Sequence, residues 1–243
     1  MMEKITYSKE TMDFLLFSYF GITMESKYDE VLKAVIQKAY SDATQQGAYN
    51  ALFEKDDKNA SDNTTKAKNQ CIEVLKEKLT QLTVFQSQKA YDDWHKELCQ
   101  SFVEFFKKNL GIEEYFTYGN AQKWVNMTMK YLLLLCDILN KESDLMKKVE
   151  SLSTYVHVPV DSYIIEEVWK NETVTLPLKP KCRGRNGFKY ASEKVVPWSK
   201  WNETQYDEFQ KSLRKYIVEQ NYENPIQWEN KEWIKIAKKR KWE

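Results

Sequence analysis

A lysine and an aspartate carry the strongest chemical signal in this chain. Lys123 stands near the start of the apolar stretch YGNAQKWVNMTMKYLLLL (118–135), and Asp161 follows the extended segment VHVPV and precedes SYIIEEVW. Asn120 is a good N-cap, so Ala121, Gln122 and Lys123 are expected in the first helical turn, with Lys123 where a capping box takes Glu or Gln. Partial positive charge at a helix N-terminus disfavours an ammonium there. Asp161 is itself a natural N-cap, and a carboxylate that accepts from backbone amides stays ionised. An amine whose charged form is disfavoured can attack an electrophilic carbon. A fixed carboxylate can stabilise a cation forming beside it.

These two groups must be positioned by helices. Only six glycines and five prolines interrupt the chain, and apolar residues recur at three and four, so the expected fold is mainly α. The pattern predicts helices over 8–19, 27–46, 66–82, 88–109, 121–140, 162–170, 203–219 and 229–240. On the fifth of these, Lys123, Asn126 and Lys130 form a polar stripe opposite Trp124, Val125, Leu132 and Leu135. The polar run EKDDKNASDNTTKAKN (54–69) reads as a solvated loop or insert. Residues 176–201, with three of the five prolines and no helical period, read as a long basic loop. No internal repeat or composition shift divides the chain, so 1–243 is read as a single helical domain that could fold as two lobes.

QKWVNMTMKYLLLL followed by VHVPVDSYIIEEVW resembles the core of the helix-hairpin-helix DNA glycosylase superfamily, and is most similar to its archaeal oxoguanine glycosylase branch. The resemblance implies a two-lobed helical fold with a cleft between the lobes. It also implies that Lys123 attacks C1′ of a modified nucleoside and forms a Schiff base while Asp161 stabilises the positive charge. PIQWENKEW (225–233) is similar to a later segment of that branch whose acidic residue and tryptophan contact the extruded base. Those roles fall on Glu229 and Trp233, with Gln122 and Asn126 as neighbours that orient it. Gly119 and Asn120 lie where the family's hairpin grips DNA. The implied activity is excision of an oxidised purine-like base with accompanying strand cleavage. FTYGNAQK offers one glycine where such hairpins carry two, which leaves open an alternative: a catalytically inactive module that binds or senses modified or foreign DNA.

The loop itself points the same way. Between 179 and 200 lie Lys179, Lys181, Arg183, Arg185, Lys189, Lys194 and Lys200 against the single acid Glu193. Phe188, Tyr190 and Trp198 are interleaved, so charge can meet phosphates and rings can meet bases. The whole chain is close to neutral, with a formal charge of +1, so any such attraction is local. Cys71, Cys99, Cys136 and Cys182 have no zinc or iron–sulfur spacing, and His95 and His157 stand apart, so no metal or cofactor is expected. His95, in DDWHKE, reads as a surface residue. The longest apolar run falls well short of the ~20 residues of a membrane span. The expectations are a cytoplasmic monomer, no membrane association, and DNA as the partner, duplex or single-stranded.

Overall fold

Ser8 opens the first helix by accepting from the Thr11 amide, and Gly21, at φ 74°, closes it in the left-handed region. The computed structural model describes residues 8–44, 58–111, 115–139, 144–180 and 191–242. Among them the elements are α1 (Lys9–Phe20), α2 (Tyr28–Thr44), α3 (Lys58–Thr80), α4 (Gln88–Leu110), α5 (Tyr118–Ile138), α6 (Asp144–Ser151), α7 (Ser162–Val168), α8 (Glu203–Glu219) and α9 (Pro225–Trp242). Two 3-10 turns, Ala191–Glu193 and Trp198–Lys200, precede α8. The fold of the described residues is mainly α, and their sole extended pairing is an antiparallel bridge between Leu178 and Val195.

The α5 helix is the axis of the molecule. It packs against α2, α4, α6, α8 and the second 3-10 turn. Its apolar residues Trp124, Val125, Met129, Leu132 and Leu135 are fully enclosed. So are most of its polar ones, because a helix surrounded on all sides has no solvated face. The Trp124 indole donates to Ile36 O at 3.0 Å, tying α5 to α2. One continuous core runs from Leu16 on α1 to Trp228 on α9.

Several expectations change. Residues 58–69 are not a loop but the first turns of α3. Ala67, Cys71 and Leu75 form an i, i+4, i+8 row that is completely buried, so the apolar stripe begins inside the polar stretch. Residues 54–57 lie outside those described. The polar stretch after α5 contains α6, held by burial of Met146 and Val149. The basic loop is pinned at its base, where Val196 N donates to Pro177 O at 2.9 Å and Lys179 N to Lys194 O at 2.6 Å.

Candidate active site at the start of α5

The start of α5 lies earlier than Asn120. Thr117 is the N-cap, and Asn120 completes the capping box from the N3 position: each side chain accepts from the other's backbone amide. Lys123 is therefore at the sixth helical position, in the second turn rather than the first. Thr-x-x-Asn contains two competent caps, and extended φ/ψ at Thr117 decides between them. The first turn is also sealed from outside. Gly119 N donates to Trp201 O at 3.0 Å, and a Cβ on Gly119 would stand 2.1 Å from Trp198 O. Gly119 is thus required by close backbone approach.

Lys123 points across a gap to α7. Its Nζ donates to Asp161 Oδ2 at 3.0 Å, with the two side chains 6% and 17% exposed. Asp161 caps α7 with its other oxygen, accepting from Tyr163 N at 2.9 Å and Ile164 N at 3.0 Å. The Trp233 indole, from α9, donates to Oδ2 at 3.1 Å. Burial by itself would raise the Asp161 carboxyl. The Lys123 ammonium and the Ile164 and Tyr163 amides outweigh it and hold the group below the usual carboxylate range. The Trp233 ring stacks on Tyr163 at 4.9 Å. The Arg240 guanidinium lies 4.1 Å from the centre of the Tyr163 ring and donates to Ser162 O at 3.0 Å.

This ion pair forms part of the wall of a half-open cavity of about 700 Å³ lined by α1, α2, α5, α7, α9 and the Trp198 turn. Two turns along α5, Lys130 donates to Glu229 Oε2 at 2.5 Å. Glu229 is 1% exposed. Its burial raises the carboxyl above the usual range, although the Lys130 ammonium pulls the other way. A third polar group stands where α1 and α2 meet α5. The hydroxyls of Tyr19 and Tyr131 are 2.9 Å apart, and Tyr131 donates to Asp42. Asp42 also accepts from Lys38 at 2.6 Å. Sequence reasoning missed this cluster. Tyr131 follows Lys123 at i+8 on the same face of α5, a signal that could have found it, but Tyr19 and Asp42 come from a part of the chain with no motif.

Other expected site residues are elsewhere. Gln122 and Asn126 are completely buried and do not line the cavity. Asn126 donates to Gln122 Oε1 at 3.0 Å and to the Tyr206 hydroxyl at 2.9 Å, and its oxygen bonds His95 Nε2 at 2.9 Å. His157 continues this network, with Nδ1 2.7 Å from the Tyr206 hydroxyl and Nε2 2.7 Å from Asp92. His95 is buried, not at the surface. It lies one turn before Cys99 and one after Tyr91, both enclosed, so its helical face follows its apolar neighbours rather than the charges beside it. Burial lowers the pKa of both imidazoles. Asn120 is 5% exposed and spent on its cap. Lys179 donates to the carbonyls of Ser192 and Glu193 at 2.7 and 3.2 Å, while Lys200 is exposed and Lys194 buried. Lys181, Cys182, Arg183, Arg185, Phe188, Lys189 and Tyr190 lie outside the described residues.

Cys71, Cys99 and Cys136 are buried thiols. Among the described residues no group of three or more His, Cys, Asp or Glu could hold a metal ion, and no helix is long and apolar enough to cross a membrane. No family model, no curated protein and no solved structure matches this chain.

Proposed function

We propose that this chain is a DNA glycosylase with lyase activity, of the two-lobed helix-hairpin-helix kind, in which Lys123 attacks C1′ of a nucleotide whose modified base enters the cavity. The observation that carries the reading is convergence. An amine and a carboxylate thirty-eight residues apart meet at 3.0 Å on the wall of a cavity of about 700 Å³, and the indole expected to face the base is bonded to the same carboxylate.

The chemistry follows from what these groups can exchange. The Lys123 ammonium gives a proton to the base, and the freed lone pair bonds C1′ as the C1′–N9 pair leaves with that base. Asp161, kept ionised by its α7 amides, faces the positive charge that develops at C1′. Transfer of a second amine proton to O4′ opens the sugar ring and leaves a protonated imine. That imine acidifies C2′ and permits loss of the 3′ phosphate. Trp233, held flat by Tyr163, offers a ring face to the base, and Glu229 offers an acceptor. Exposed Lys238, Lys239 and Arg240, near the end of α9, supply positive charge for the DNA backbone on the α7 side of the cavity.

The test is reductive trapping. With borohydride and DNA bearing oxidised or alkylated purines, the wild-type chain forms a covalent adduct and Lys123→Ala does not. Absence of an adduct from both across the panel overturns the lyase reading. One observation favours a second reading, a sensor without catalysis: the single hairpin glycine, Gly119, is packed on the Trp198 carbonyl and has no room to approach a phosphate. A sensor binds DNA in a salt-dependent way, releases no base, and keeps its affinity in Lys123→Ala.

A further inference from the structure

The cavity extends well beyond the reacting groups at Lys123, and that extension is largely apolar. An oxidised guanine has about twelve non-hydrogen atoms. At the ~30 Å³ that a water molecule occupies in the liquid, a generous allowance for a ring atom, it fills about half of the roughly 700 Å³ available. The remainder has a definite place. Its lining follows α5 from Lys123 to Ile138, about 22 Å at 1.5 Å per residue. C1′ must sit at the Lys123 end to be attacked. Beyond Tyr131 the α5 wall is Leu134, Leu135 and Ile138 with the exposed Asp137 at its edge, roofed by Leu15 and Leu16 from α1. Leu15 is 53% exposed although it lines a concavity, so this half presents apolar surface that no described residue covers.

Tyr19, Phe20 and Tyr131 meet edge to face between the two halves, with centroids 4.8 to 5.9 Å apart. The Tyr131 phenol is committed to Asp42. A base that ended at this aromatic collar would leave the far half to water, an unfavourable filling for a leucine-lined space. We infer that the cavity takes a base carrying a bulky apolar substituent, alkyl or aryl, which passes Tyr131 and lies along Leu134 and Ile138 beneath α1. The inference rests on the glycosylase reading and names the substrate class of that site. The base and sugar occupy the Lys123, Asp161 and Trp233 end, and the substituent occupies the leucine end.

The experiment compares two oligonucleotides, one carrying an oxidised guanine and one carrying a benzylated guanine, each as duplex and single strand. Single-turnover base release and borohydride trapping are measured with the wild-type chain, Leu134→Trp and Leu15→Trp. Both substitutions fill the far half, and neither touches the ion pair. The expected result is that wild type processes the benzylated base and both Trp variants lose at least tenfold on it, with unchanged thermal melting. Trapping of the oxidised base but not the benzylated one overturns the inference and leaves the glycosylase reading standing. Trapping of neither overturns both. Equal processing of the benzylated base by wild type and both Trp variants overturns the inference alone.

Discussion

Replacing Asp161 by Asn separates the charge of this residue from its cap. Asn is as good an N-cap as Asp, so the bonds from Tyr163 N and Ile164 N survive, while the Lys123 ammonium, 6% exposed, loses its counter-ion. Removing one partner of a buried pair costs about 3–5 kcal/mol. Asp161 retains 17% exposure, so we expect the lower end, about 3 kcal/mol. For a chain of this length that lowers Tm by roughly 6–12 °C. Asp161→Ala also removes the cap and should cost about 1 kcal/mol more. Lys123→Met with Asp161→Asn removes both charges and should return to within about 1 kcal/mol of wild type, because replacing a buried pair is often near neutral. Urea unfolding of wild type, Lys123→Met, Asp161→Asn and the double variant at neutral pH measures this cycle. The reasoning is refuted if Asp161→Asn costs under about 1 kcal/mol, or if the double variant is as unstable as the two single losses combined. The pH dependence has a fixed sign. A carboxyl held below its usual range contributes stability that is present above pH ~4 and is lost as pH falls through its lowered value. The gap between wild type and Asp161→Asn therefore narrows in acid and stays constant around neutrality.

Three further outcomes follow from the same geometry. Gly119→Ala forces a Cβ against the Trp198 carbonyl, backbone against backbone, and should destabilise by about 3 kcal/mol, read as a fall in Tm. Asn126→Leu removes a buried hydrogen-bond partner from His95, Gln122 and the Tyr206 hydroxyl and should cost roughly 3 kcal/mol in urea unfolding; since Asn126 does not line the cavity, base release by the folded fraction should stay at the wild-type level. Glu229, held above the usual carboxylate range by burial, binds its proton more tightly folded than unfolded. The stability of wild type relative to Glu229→Gln should therefore rise as pH falls from neutral toward that raised value, and a series of melts between pH 7 and 4 measures it.

Most helices were legible because their apolar rows are long. The α4, α7 and α8 ranges differ from expectation by two residues or fewer at each end. The failures have local causes. Thr117 and Asn120 are both good caps, and only the chain's approach from 115 to 117 selects the first. The polar composition of 58–69 outweighed the Ala67–Cys71–Leu75 row, and α6 was hidden because its polar residues outnumber the two it buries in α5's neighbourhood. Asn126 and Gln122 share a helix with Lys123, which made them attractive as base contacts. Asn126 faces α4 and α8 instead, where His95 and Tyr206 take its hydrogen bonds, and Gln122 is spent on Asn126 and the Gly119 carbonyl.

By itself the sequence determined what depends on neighbours along the chain: a mainly helical fold, an aspartate capping α7, and a lysine near the start of the central helix. Tertiary structure alone decided that the lysine's polar stripe is enclosed rather than solvated, that Lys123 reaches Asp161 across two helices, and that Lys130 is paired with Glu229. The physical reason is that a helix fixes the direction of its own side chains, whereas what meets them is chosen by how the remaining helices fill the core. Whether a charge on α5 faces water or a counter-ion is therefore settled by residues about forty to a hundred positions away.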